Sequence, residues 1–268
     1  MCMLKYPSIE IRESMAVIRA FVWRIWHELF RYPLNTFVSV LQPIIETLPF
    51  WLLSKLYPNG LGNSGSSLIL VALPVALWCA NISVASTFEI VGEIRQLTLQ
   101  ALFLTPVKRW IIFISRPLFA TMEESVKYLL TFILIYAYLR FAPIHLNYFV
   151  LAFAFGIVIS YGLSMIFAAL SLVSKRTDYT FVISALLTFF SAPWYRVSSL
   201  PPLMQAIGLL DPIYYPVTLM KDAFSFGAFR ASLLWQGTLC VVMLWIISAA
   251  VANVTLRAVN RGALWGKQ

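Results

Sequence analysis

Three cysteines, two histidines and eleven acidic residues leave this 268-residue chain little from which to build catalytic or metal chemistry. Cys2, Cys79 and Cys240 are isolated, without paired spacing, so neither a disulfide framework nor a zinc site is indicated. The scattered carboxylates and the two histidines form no metal-binding cluster. No Gly-x-x-x-x-Gly-Lys-Ser/Thr stretch occurs, so the chain cannot cradle ATP phosphates by that route. A nucleophile elbow and a zinc-protease motif are likewise missing. A membrane-embedded transferase or protease needs converging polar groups, and Glu46, Glu123 and Glu124 are too few to argue one. The expectation is a chain that is not an enzyme, with no cofactor of its own. No repeat of 20–50 residues is visible.

Charge of either sign is also scarce. Only 12% of residues are charged against 60% hydrophobic, and the mean hydropathy is +0.82. A soluble domain needs more charge than that to keep its surface wet. Several apolar runs exceed the roughly 18 residues that mark a membrane-spanning helix, so the chain reads as an all-α polytopic membrane protein. The formal charge of +9 comes from cations beside apolar spans, which fits anionic lipid headgroups and gives no continuous nucleic-acid surface.

Residues 1–33 read as an amphipathic helix on the cytoplasmic surface. Val17, Ile18, Phe21, Val22, Ile25, Leu29 and Phe30 interleave there with Arg19, Arg24, His27 and Glu28, and Trp23 and Trp26 suit the headgroup layer. The segment has no clean apolar h-region, which argues against a cleaved signal peptide.

A six-span transmembrane domain over 34–256 follows, then a cytoplasmic tail, 257–268. The first span, Leu34 to Leu56, holds Pro43 and Pro49, with Glu46 between them near mid-membrane. An ionised carboxylate there must face protein or water, so Glu46 lines a pathway or an interface, or else is a hydrogen-bonded packing residue. The second span is Ser67 to Phe88, and the third Pro117 to Leu139, with Glu123, Glu124 and Lys127 at helical pair spacing. The fourth, Tyr148 to Val173, carries Gly156, Ser160, Gly162 and Ser164, small residues that permit close helix contact. The fifth apolar run, Tyr179 to Ala192, would reach roughly 21 Å, short of a hydrocarbon core about 30 Å thick. Its completion is an external re-entrant region, 193–226, apolar but broken by Pro193, Pro201, Pro202, Pro212 and Pro216. The last span is Leu233 to Leu256. Most cations then fall on the side of both termini, which sets six spans with cytoplasmic ends.

Between the second and third spans lies an amphipathic stretch, Glu93 to Arg109. Read as a helix, it puts Ile94, Leu97, Ala101, Leu102 and Thr105 near one face, and Pro106 ends it. Glu93, then Thr98-Leu99-Gln100-Ala101-Leu102-Phe103-Leu104-Thr105-Pro106-Val107, resembles the cytoplasmic signature of the type-2 ABC export permeases. Leu97 stands where that family usually has Gly, and Gln100 where it usually has Glu. Leu200-Pro201-Pro202-Leu203-Met204-Gln205, then Asp211-Pro212-Ile213-Tyr214-Tyr215, is similar to the family's second signature, with Asp211 for the usual Asn and Lys221 in place of an Arg.

The resemblance implies the membrane subunit of an ATP-driven exporter in a bacterial or archaeal plasma membrane. It implies that 93–106 is a coupling helix, with Glu93, Arg95, Gln96, Leu99, Gln100, Phe103, Thr105, Pro106 and Arg109 contacting a separate ATPase. Two ATPase subunits, holding the ATP and Mg, would pair with two permease chains, either identical or closely related. The first and fifth spans would border the pathway, where Phe37, Phe50, Trp51, Phe181, Phe189, Phe190, Trp194 and Tyr195 are candidate lining residues beside Glu46. Ordinary lipid or helix contact is the alternative for those rings. The apolar span interiors favour an amphipathic or hydrophobic cargo such as a drug, lipid or glycan-lipid. The rival function is an ion-coupled secondary transporter using Glu46.

Overall fold

The computed structural model describes residues 19–20, 23, 26–27, 30–56, 65–95, 109–138, 144–195, 197–225 and 231–260. Among these residues the chain is all-helical, with eight α-helices and no strand. They are α1 (Pro33–Leu56), α2 (Gly65–Arg95), α3 (Arg109–Tyr138), α4 (Leu146–Ser174), α5 (Asp178–Phe190), α6 (Pro202–Leu210), α7 (Tyr214–Ser225) and α8 (Ala231–Asn260), with a 3-10 turn at Val197–Ser199. Three stretches are long and apolar enough to cross a membrane: Leu68–Arg95, Leu146–Ser174 and Ala231–Ala258. The apolar parts of α1 and α5, Thr36–Leu52 and Asp178–Phe190, are shorter. Although α3 has 30 residues, Arg116, Glu123, Glu124 and Lys127 interrupt its apolar sequence.

The organising element is α2, which packs against α1, α3, α4, α5 and α7. Of its most apolar window 72% is buried, against 22% for α8, so α2 is core and α8 is largely periphery. The small residues of α4 make the closest approach possible. Gly156 faces the Trp78 ring so tightly that a Cβ at that position would overlap it, and Trp78 stacks on Phe153 at 4.9 Å. Lower on the same seam the Ser164 hydroxyl donates to the Ile82 carbonyl at 3.2 Å, and Ser248 of α8 donates to the Gly162 carbonyl at 2.9 Å. Such hydroxyl-to-carbonyl bonds join helices where apolar burial alone cannot, because lipid tails are as apolar as leucine.

These contacts also fix helix directions. Trp78 meets Gly156 and Ile82 meets Ser164, so α2 and α4 run the same way. Phe155 meets Gly237 and Gly162 meets Ser248, so α8 runs with them. Glu93 pairs with Arg116 and Asn81 with Tyr128, so α3 runs opposite to α2. Thr131 donates to the Val40 carbonyl and Trp51 meets Tyr138, so α1 runs with α3.

Two boundaries differ from the sequence reading. The second helix does not stop at Phe88 but continues to Arg95, so Glu93 and Arg95 belong to its last turns and not to a separate element. The third begins at Arg109, taking in Trp110 to Arg116 ahead of Pro117. Apolar run length set both boundaries, whereas charge pairing between α2 and α3 lets each helix continue past the end of its run. Gln96 to Lys108, which include most of the coupling stretch, and the tail from Arg261 lie outside the described residues. Of the 1–33 segment, Trp23, Trp26, His27 and Phe30 are helical and exposed, with Trp23 stacked on His27 at 4.4 Å.

Beyond α5 the chain forms two short helices joined at Asp211. Pro202 opens α6, where a missing N–H costs nothing. Asp211 turns the chain by accepting the Ile213 N–H on Oδ1 at 2.9 Å. Gly208 lets α6 lie against the Phe190 carbonyl at the end of α5, 3.3 Å from where a Cβ would sit.

Candidate functional site

Two assemblies of side chains stand out from the apolar packing, one at each end of the bundle. The first joins the ends of α2 and α3 on either side of residues 96–108. Arg116, 5% exposed, forms ion pairs with Glu93 and, at 3.7 Å, with Glu89. The carboxylates lie one turn apart on α2, so a single guanidinium reaches both, and its planar fork suits two acceptors. Arg95 is exposed two residues after Glu93, and Arg109 begins α3. Glu93, implied as a contact for an ATPase, thus also has a partner within the chain. Gln96, Leu99, Gln100, Phe103, Thr105 and Pro106 lie outside the described residues.

The second assembly gathers rings from α1, α5 and the turn after α5. Phe50 stacks on Trp194 at 4.8 Å with 12° between planes. Phe189 lies 6.1 Å from Trp194, 5.5 Å from Tyr195 and 5.3 Å from Phe190. The Tyr195 hydroxyl donates to the Phe189 carbonyl at 2.6 Å, which fixes its ring against α5. Lys221 on α7 donates to the Ala192 carbonyl and, at 3.4 Å, to that of Tyr195. A cation at these helix-end carbonyls complements the negative end of the α5 dipole. Ala192 itself has φ 56°, a left-handed conformation that closes the helix sharply enough to bring Trp194 back toward α1.

Neither comparison with known proteins adds to this. No family model matches the chain, and no curated protein matches it.

Five of the nine pathway candidates, Phe50, Phe189, Phe190, Trp194 and Tyr195, therefore converge in space. The others do not join them. Trp51 turns toward Tyr138 at 6.1 Å and packs on the main core, Phe181 meets Phe88 at 5.5 Å, and Phe37 is 60% exposed on the outer side of α1. Glu46 lies one helical turn before Phe50 on α1 and accepts the Gln42 amide N–H at 2.8 Å. No Lys or Arg among the described residues forms an ion pair with it.

A third polar group sits between these ends, inside α3. Lys127, 9% exposed, pairs with Glu123 at 2.7 Å and Glu124 at 2.8 Å. Close by, the Asn81 amide donates to the Tyr128 hydroxyl at 2.8 Å. The i,i+3 and i,i+4 spacing of Glu123, Glu124 and Lys127 was legible as a local pair. Nothing local marks Arg116 as the partner of Glu89 and Glu93, nor Lys221 as the cap of α5. Among the described residues no three His, Cys, Asp or Glu side chains converge as a metal-ligand set.

Proposed function

We propose that this chain is the membrane subunit of an ATP-driven exporter of the type-2 ABC permease kind, working with separate ATPase subunits that carry ATP and Mg. Its pathway runs along α1 and α5 at the interface of two such chains, and its cargo is amphipathic or hydrophobic. The observation that carries this reading is the Glu89–Glu93–Arg116 clamp. It ties the two ends of the 96–108 segment into one unit, so a force applied to that segment moves α2 and α3 together. Because α2 also touches α1, α4, α5 and α7, the displacement is passed to the elements that bear the ring cluster. Coupling of this kind needs a contiguous physical linkage with two arrangements, and the α2–α3 pair supplies the linkage.

The helix directions support six crossings with both termini on one side. Helices α2, α4 and α8 run the same way, so the chain returns between α2 and α4 and again between α4 and α8. The return elements are α3 and α5 with the α6–α7 segment, and α1 provides the opening pass. Cation placement puts the Arg95–Arg109 end in the cytoplasm.

The deciding experiment is a detergent pull-down of the tagged chain from its native membrane, with ATP hydrolysis assayed on what co-purifies. A bound ATPase whose activity is uncoupled by Arg95→Ala, an exposed position outside the clamp, is the expected result. A second reading, an ion-coupled carrier, is favoured by the buried Glu123–Lys127–Glu124 group, since ionisable residues inside membranes mark ion pathways. A chain that arrives alone and transports only while a proton gradient is held would replace the first reading with the second.

A further inference from the structure

We infer that Asp211 is a proton-binding site, which holds its proton while the α6–α7 turn is seated and gives it to water when the turn lifts. This site does not depend on the exporter reading. Asp211 joins α6 to α7, outside the helical stretches apolar enough to cross a membrane. It is nevertheless 4% exposed, and Ile213, Val217 and Met220 after it are buried in the core that holds Trp78. Its backbone N–H donates to the Ile207 carbonyl at 3.1 Å, and its own carbonyl accepts from Tyr214 at 3.2 Å, so the turn is fixed from both sides. Oδ1 accepts the Ile213 N–H. Oδ2 is buried and accepts no hydrogen bond.

The titratable groups that a charge on Asp211 reaches are Cys79 of α2, Cys240 of α8, Tyr215 of α7 and Tyr195 of the turn after α5. Thiols and phenols carry no charge at neutral pH. The phenols direct their protons elsewhere, Tyr215 to the Leu209 carbonyl at 2.9 Å and Tyr195 to that of Phe189. The Cys240 thiol points to the Leu210 carbonyl at 3.9 Å, and on α4 the Ser160 hydroxyl lies beside the Cys79 thiol. Lys221, which meets the turn after α5 from α7, donates to the Ala192 and Tyr195 carbonyls. An ionised carboxylate with a bare oxygen in such surroundings is costly, and the group takes up a proton instead. Burial accordingly pushes the Asp211 carboxyl up to about 8, against the Ile213 hydrogen bond, which favours the ionised form. In the lifted turn it returns to about 4. Between those values the seated turn binds one proton more than the lifted turn. The proton therefore stabilises the seated form at low pH, and that stabilisation is lost as pH rises from about 4 toward about 8. Acidity thus latches the α6–α7 hairpin onto α2 and α4, against which α7 packs.

The test is the rate at which Cys79, 0% exposed, reacts with N-ethylmaleimide, followed by mass spectrometry of its peptide. The purified full-length chain is held in phosphatidylcholine nanodiscs, without an ATPase. Reagent is kept dilute, so that reclosure outruns reaction and the rate follows the fraction of molecules with the turn lifted. Only the thiolate reacts, which by itself raises the rate about tenfold per pH unit. A proton released on lifting adds a second factor of about ten, so the wild-type rate should rise about a hundredfold per unit between about pH 5 and pH 7. Asp211→Asn, neutral at every pH, should rise only about tenfold per unit. Asp211→Ser keeps an oxygen for the Ile213 N–H, should behave as the Asn variant does, and decides the matter where that variant fails to fold. A wild-type rise of only about tenfold per unit overturns the site, as does a hundredfold rise that persists in a folded variant. Because no ATPase is present, neither outcome bears on the exporter reading.

Discussion

Replacing Arg116 by Met should be among the most damaging single changes available to the α2–α3 pair. Its side chain is 6% exposed and its two carboxylate partners are 22% and 14% exposed. Removing the cation takes from Glu89 and Glu93, one turn apart and mostly buried, the partner they share. Deleting one partner of a buried ion pair costs about 3–5 kcal/mol. The residual exposure of both carboxylates argues for the lower end, about 3 kcal/mol, because water screens part of the repulsion. For a chain of this size that is a fall on the order of 10 °C in apparent melting temperature. The assay is tryptophan fluorescence of the purified chain in detergent, at one scan rate, since unfolding of such proteins is commonly irreversible. The triple variant Glu89→Gln, Glu93→Gln, Arg116→Met removes the two carboxylates together with the cation they share and should recover part of the loss, because two mostly buried like charges no longer lie one turn apart. A fall of less than about 2 °C in Arg116→Met, or no recovery in the triple variant, would refute the claim that the charges of these three side chains hold α2 to α3.

Two further changes probe the rest of the frame. Gly156→Val drives a branched side chain into the Trp78 ring and should cost about 1–3 kcal/mol by overpacking, read as a lower melting temperature with Trp78 fluorescence altered. Lys221→Met removes charged donors from the Ala192 and Tyr195 carbonyls, a loss of about 2 kcal/mol, and should red-shift tryptophan emission as Trp194 loosens from Phe50; an unchanged spectrum would count against the cap.

Much of the helical frame was visible in the pattern of residues, for physical reasons that also explain the gaps. Apolar run length located α4 and α8 to within a few residues, because a membrane helix must satisfy its backbone internally and so shows an unbroken run. Small residues at Gly156, Ser160, Gly162 and Ser164 marked α4 as a closely packed helix but not its partners: Gly156 meets Trp78 of α2, whereas Gly162 meets Leu244 of α8. Boundaries failed where charge, not hydropathy, decides. The continuation of α2 to Arg95 depends on Arg116, more than twenty residues later in the chain, and no local pattern reveals that partner. The ring cluster was half legible: eight of the nine pathway candidates are aromatic, but only the sharp turn at Ala192 and the reach of Lys221 determine which five meet.

The two polar assemblies have a relation that neither shows alone. The clamp at Arg116 joins α2 to α3, and α2 is the most buried helix, so the pair has little freedom to move except as a body. The ring group depends instead on α1, which carries Pro43 and Pro49 inside its helix, and on α5, only 13 residues long. Pro74 and Pro117 also interrupt α2 and α3, but burial and the Arg116 ion pairs tie those helices to their neighbours, whereas α1 carries two prolines and α5 has few backbone hydrogen bonds to lose. Stiffness therefore lies beside the segment proposed to receive force, and compliance lies where rings and a carboxylate are presented. If the chain works with an ATPase as proposed, cargo bound beside α1 and α5 and nucleotide bound on the partner must each shift the other's affinity by the same free energy.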